Sequence, residues 1–195
     1  TDIEASGIDI ILTLDVSGSM EALDFKLNGK PINRLEVVKS VVEKFIGQRP
    51  NDKLGMVAFA GRPYLVSPLT MDHTFLTKRL SDVKMGQVED GTAIGSAIAS
   101  SVDHLRDSKA KSRIVILLTD GVNNAGSINP VTAAEAAKAL GIKVYTIGAG
   151  IKGEAPMPVT DGFGRRFLQT VPVEIDEKVL EEVATATGGK SYRAT

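Results

Sequence analysis

Apolar runs alternate with amphipathic stretches along this chain. Residues 8–13, "IDIILT", form the continuous apolar run of a buried strand, which stops in "LDVSGSM" at 14–20 on an acid and two hydroxyls. Residues 34–48 place Leu35, Val38, Val42 and Phe45 at helical spacing, with Glu36, Lys39, Glu43 and Lys44 on other faces. "KLGMVAFA" at 53–60 reads as a second strand, and after the Gly61-Arg62-Pro63 break "YLVSPL" reads as a short third one, demoted to an edge by Pro68. Residues 72–84 predict a helix opened by Asp72, with Phe75, Leu76 and Leu80 along one face. Residues 92–107 predict another, in which Ile94, Ile98, Val102 and Leu105 alternate with small residues that let a helix lie close to a sheet.

"RIVILLTDG" at 113–121 is the most apolar run, which predicts a central strand buried on both faces and ended by Asp120. A helix over 129–141, with Pro130 at its start and Gly141 at its end, precedes the strand "KVYTIGAG". Residues 176–189 repeat the helix pattern before a short last strand, "KSYRA". Residues 151–172 fit this alternation least, and "DGFG" among short mixed segments predicts an inserted hairpin. The chain has no sequence repeat or low-complexity tract.

Such alternation predicts one α/β domain over 1–195: a doubly wound, mostly parallel six-stranded sheet with one antiparallel edge strand and helices on both faces. In open sheets of this kind ligands bind at the carboxyl ends of the strands, where Asp15 and Asp120 both fall.

Composition narrows the functional classes. The 195 residues carry a mean hydropathy of +0.04, with 24% charged, as a globular domain with its own core requires. Lys and Arg total 23 against 24 Asp and Glu, so no net field attracts nucleic acid or an anionic membrane surface. Without cysteine there are no disulfides, thiol nucleophiles or Cys-based zinc sites, and the redox compartment stays open. No run approaches the ~18 apolar residues of a membrane span, and residues 1–10 lack the layout of a signal peptide. The chain reads as an excised domain, with any anchor lying outside it.

The candidate chemistry lies in the loops. Asp15, Ser17 and Ser19 alternate, so in an extended segment their oxygens converge, while Gly18 lets the turn tighten. Thr92 opens the third helix, where its hydroxyl either caps the helix or points into the same crevice. Two carboxylates brought together there repel, and a divalent cation removes the conflict. Hydroxyl and carboxylate oxygens suit a hard ion, and so few protein ligands favour Mg²⁺ with retained waters over a Ca²⁺ cage; Mn²⁺ or Ca²⁺ are expected substitutes.

"DVSGSM", "DGT" and "LLTDG", in that order and on those elements, resemble the metal-ion-dependent adhesion site of a von Willebrand factor type A domain, over nearly the whole chain. The resemblance implies Mg²⁺ held directly by Ser17, Ser19 and Thr92, with Asp15 and Asp120 bound mainly through water or switching with state. It also implies a partner protein whose Asp or Glu carboxylate completes the coordination. "GIDIILTLDVSGSM", "NRLEVVK", "GTAIG" and "LLTDGVNNAG" further resemble the bacterial Bat-type, aerotolerance-associated subgroup. That subgroup implies association with a bacterial membrane through segments outside this chain, and other Bat-type proteins or a MoxR-type ATPase system as partners. "LNGKPI" at 27–32 departs from it by lengthening the loop after the metal motif.

Each feature also has a plainer reading. Asp15, Ser17 and Ser19 can simply turn the chain, Thr92 can cap a helix, and Asp120-Gly121 can form a turn; it is their conjunction that favours a metal. Asp24, Glu89 and Asp90 read as an acidic rim or as solvated loop charges, and Asn123-Asn124 as a hydrogen-bonded turn, favoured over a ligand contact. Arg165 and Arg166 read as a partner contact or an exposed hairpin tip, and His73 and His104 as surface residues with no metal role.

The expected function is non-enzymatic, metal-dependent protein binding. The alternative is a phosphoryl-transfer enzyme with Asp15 as nucleophile, which would place a second acid where Ser17 stands. No phosphate-binding loop of the G-x-x-x-x-G-K-[ST] type occurs, nor is G-x-G-x-x-G present in the first strand-to-helix turn, so nucleotide binding is not expected. A metal-free scaffold is the third reading.

Overall fold

A computed structural model describes residues 7–194, so the leader reading of residues 1–10 falls mostly outside the described residues. The central strand β1 (Ile8–Asp15) pairs in parallel with β4 (Lys53–Phe59) on one side and β6 (Ser112–Thr119) on the other. β7 (Lys143–Ala149) and β10 (Ser191–Ala194) extend the sheet beyond β6, and β5 (Pro63–Thr70) closes the opposite edge beyond β4. The order is β10-β7-β6-β1-β4-β5, with β5 the antiparallel strand. Pro68 lies in that edge strand, where a missing ladder donor costs least.

Helices cover the sheet as the strand pleat dictates. Ile10, Leu12 and Leu14 point to one face and pack in a cluster with Val38 and Val42 of α1 (Arg34–Gly47) and Leu76 and Leu80 of α2 (His73–Ser81). Ile11, Val115 and Leu117 point to the other face. There they meet α3 (Ile94–Leu105), α4 (Pro130–Ala139) and α5 (Glu177–Ala186) through Ile98, Ala134 and Val183. Thr13 also faces α3, and its hydroxyl bonds that of Ser101 at 2.7 Å. Four helix starts carry side-chain caps, Asp72 as its sequence predicts and Asn33, Asn129 and Asp176 besides: each accepts from backbone N–H groups of the first turn.

β6 differs from the expectation of a strand buried on both faces. Val115 and Leu117 are fully covered, whereas Ile114 and Ile116 are half-buried on the α1 side. They line an apolar groove of about 340 Å³ with Ile10, Leu12, Phe45 and Tyr145. α1 reaches that groove only with Val41, Val42 and Phe45, so the apolar run is fully covered on the α3–α5 face and only in part on the α1 face.

Two small hairpins stand apart from the main sheet. The segment read as a lengthened loop forms β2 (Phe25–Leu27) and β3 (Lys30–Ile32) around Asn28-Gly29, both left-handed at φ 51° and 77°. An Asn-Gly pair is the strongest short-range hairpin signal, and here it turns the segment back on itself. β8 (Gly153–Thr160) and β9 (Arg166–Val173) pair antiparallel, with Asp161 holding the turn through the N–H groups of Phe163 and Arg165. Ala155 and Val173 seat this hairpin on Ala22, and Leu23 N donates to Pro156 O at 2.8 Å. Its far end is open to solvent: Phe163 is 88% exposed, with Arg165 and Arg166 beside it.

Candidate metal centre

The parallel pairing of β1 with β6 sets Asp15 and Asp120 side by side at the carboxyl end of the sheet. Asp15 is fully buried, and each carboxylate oxygen is taken. Oδ1 accepts from Ser17 N at 2.9 Å and Ser17 Oγ at 2.6 Å, and Oδ2 accepts from Thr119 Oγ1 at 2.7 Å. Val16 and Met20 point into the core and anchor the loop, while Ser17 is extended at φ −66°, ψ 163°. Ser17 Oγ lies 3.0 Å from Ser19 Oγ, and Ser19 in turn donates to Asp120 Oδ2. Gly121, left-handed at φ 88°, turns the chain away from β6 immediately after the acid; an added Cβ there would crowd Asp176 N and Leu180.

Thr92 does not cap α3. The cap position belongs to Ala93, with no side-chain cap, and the buried Thr92 lines one crevice of about 170 Å³ with Ser19 and Asp120. Ile94 N, a donor that a Thr92 cap would satisfy, is met from elsewhere, and so is Thr92's own N–H. Asn123 accepts from Ile94 N at 2.9 Å and Asn124 from Thr92 N at 2.8 Å. The two asparagines thus bolt the Asp120 loop to the Thr92 loop, a long-range role that the turn reading of Asn123-Asn124 missed.

The flanking residues sort differently from the sequence reading. Asp24 is no solvated charge. Its side chain is 0% exposed and forms an ion pair at 2.7 Å with Arg34, itself 1% exposed. Arg34 also reaches Asp120 Oδ2 at 3.3 Å, so a buried guanidinium that sequence reasoning passed over lies against the site. Asp90 braces the loop by accepting from Gly18 N at 2.9 Å, and Glu89 is an exposed partner of Arg62. His73 is half-buried with Nε2 2.8 Å from Asp52 O, and His104 is exposed; both are remote from this loop cluster in the pairing of the sheet.

Electrostatics here favour a cation. Burial, reinforced by the charge of Asp120, pushes the Asp15 carboxyl up from 3.8 to about 7 against the hydrogen bonds of Ser17 and Thr119. Asp120 is also raised by burial, and Ser19 and Arg34 oppose the rise. Among the described residues no cluster of three or more His, Cys, Asp or Glu side chains suits a metal ion. The donors gathered here are instead three hydroxyls and two acids. Oxygen-only donors at this density fit a hard divalent ion that keeps some of its waters.

A doubly wound α/β domain with hydroxyl and acid donors on the loops after β1 and β6 is a binding scaffold whose site lies at the sheet's carboxyl edge. Residues 9–190 match the model of the von Willebrand factor type A domain, and the chain belongs to that family. An uncharacterized protein of Borreliella burgdorferi is 35% identical over 188 residues, covering 96% of this chain and 54% of its own length. Among solved structures, an aerotolerance-related membrane protein from Bacteroides fragilis aligns with TM-score 0.82 at 28% identity, covering 97% of this chain and 92% of that one. The conserved hypothetical protein BatB from Bacteroides thetaiotaomicron aligns with TM-score 0.82 at 31% identity, covering 96% and 90%. The chain spans about half the length of the curated relatives it matches. No helix among the described residues is long and apolar enough to cross a membrane.

Proposed function

We propose that this domain is a non-enzymatic protein-interaction module that binds Mg²⁺ through Ser17, Ser19, Thr92, Asp15 and Asp120 and, through that ion, an Asp or Glu carboxylate of a partner protein. The observation that carries the reading is the meeting of two buried acids with three hydroxyl donors beside a crevice that is open to solvent. When bound, the ion supplies positive charge that neutralises the paired acids and leaves a position for an external acidic oxygen. Ser17 and Ser19 present their oxygens from a loop held by Val16, Met20 and Asp90, and Thr92 presents its own from the facing loop held by Asn123 and Asn124. Met157, Val171 and Pro172 of the β8–β9 hairpin wall one side of the crevice, so a partner reaching the site passes an apolar surface.

The burial of Asp15 weighs against phosphoryl transfer. A nucleophile needs a free lone pair facing its substrate, and both Asp15 oxygens are turned inward to Ser17 and Thr119. From the membrane and BatB proteins among its structural relatives, we infer that the domain serves a membrane-associated Bat-type protein; the sequence resemblance to that subgroup adds other Bat-type proteins or a MoxR-type ATPase system as proposed partners.

The test is capture from membranes of the source bacterium by the wild-type domain and by Ser17→Ala/Ser19→Ala, each with Mg²⁺ and with chelator. Capture by the wild type with Mg²⁺ alone is expected. If both proteins retain the same partners regardless of metal, the ion bridge is wrong.

A further inference from the structure

Arg34 is among the largest fully buried side chains of the domain, and its surroundings are built around it. Its Nε lies 3.0 and 3.1 Å from the two Asp24 oxygens and its Nη2 lies 2.7 Å from Asp24 Oδ2. Nη1 reaches Asp120 Oδ2 at 3.3 Å, the same oxygen that accepts from Ser19. The chain passes over the guanidinium at Gly150, left-handed at φ 123°, where any Cβ would come within 2.6 Å of Arg34 Cζ. Asp24 is fixed a third time, accepting from Ile151 N at 3.0 Å. A buried arginine held this firmly does not arise from helix packing, because a charge taken out of water is strongly unfavourable unless something specific compensates it.

We propose that Arg34 is the resident counter-charge of the metal crevice: by bridging Asp24 and Asp120 it holds Asp120 in place without an ion and sets how tightly a divalent cation binds. This rests on the metal reading above. Asp15, Asp24 and Asp120 with Arg34 leave two formal negative charges in the buried cluster, the charge that one divalent ion cancels. Arg34 and the ion draw on the same Asp120 oxygen, so the guanidinium weakens cation binding while it keeps the empty site assembled. An ion held in this way exchanges with solvent. Without Arg34 the cluster would have a larger negative charge, favouring an ion bound permanently as part of the fold.

Charge counting gives an order that a merely structural role would not. In Mn²⁺ titrations by calorimetry at pH 7.5, Arg34→Gln should bind about tenfold tighter than wild type, although it melts lower in chelator. Asp24→Asn, which leaves Arg34 free to sit wholly on Asp120, should bind about tenfold more weakly. The double variant Asp24→Asn/Arg34→Gln restores the cluster charge and should return to within about threefold of wild type. It should also melt above Arg34→Gln in chelator, since removing both partners of a buried pair costs less than stranding one. If Arg34→Gln fails to fold, Asp24→Asn decides the matter, because equal or tighter Mn²⁺ binding there overturns the proposal. Wild-type binding with Arg34→Gln no tighter overturns this inference alone. Absence of Mn²⁺ binding by every protein, wild type included, overturns the metal reading and this inference with it.

Discussion

Mg²⁺ at a hundredfold excess over its dissociation constant should stabilise the wild-type domain by ~2.7 kcal/mol, and Ser17→Ala/Ser19→Ala should abolish that gain. For a chain of this size the wild-type shift is ~5–10 °C in Tm. The hydroxyls of Ser17 and Ser19 lie 3.0 Å apart and link Asp15 to Asp120, so alanine removes direct donors without touching the core contacts of Val16 and Met20. The double variant should also melt lower than wild type in chelator, because each acid loses a hydrogen-bond donor. Thermal unfolding of both proteins with Mg²⁺ and with chelator makes the comparison. Equal Mg²⁺-induced shifts in both would remove Ser17 and Ser19 from the site.

The second large effect is on stability against pH. A carboxyl whose pKa rises from 3.8 to about 7 on folding holds its proton more tightly when folded. Its stabilising contribution is therefore fully present below about 4 and is lost as pH rises through about 7. Asp15→Asn keeps the shape of the side chain and cannot ionise. In chelator, wild type should lose ~2–4 kcal/mol relative to Asp15→Asn between pH 4 and pH 8, most of it by pH 7. Saturating Mg²⁺ should narrow that gap at pH 8, since the wild type gains more of the ion's stabilisation than Asp15→Asn. Urea unfolding of both proteins across this pH range measures the difference. A gap that stays constant with pH would mean that Asp15 does not carry the buried charge.

Much of the fold was legible because its signals are local and repeated. The apolar runs ending at Asp15 and Asp120 are strands whose parallel pairing brings their ends together, so two loops 105 positions apart could be assigned to one crevice. The helical spacing of Leu35, Val38 and Val42 likewise marks the buried face of α1. Arg34, one residue before that pattern, was illegible for a physical reason. Its burial depends on Asp24, Asp120 and Gly150 arriving from three other segments, and no periodicity encodes such a meeting. Asn123 is visible in the sequence but its role is not, because its partner is the N–H of Ile94 on the facing loop and not a neighbour in its own turn. Ile114 and Ile116 show the opposite limit. Their composition suits burial, but whether a helix lies over them is decided by topology.

The most direct measurement is anomalous diffraction at the manganese edge from crystals of the wild-type domain grown with Mn²⁺. One strong peak is expected within bonding distance of the Ser17, Ser19 and Thr92 hydroxyl oxygens, with Asp15 and Asp120 linked to it mainly through water. A map with no peak at that position, or with the ion seated elsewhere, would contradict the metal reading.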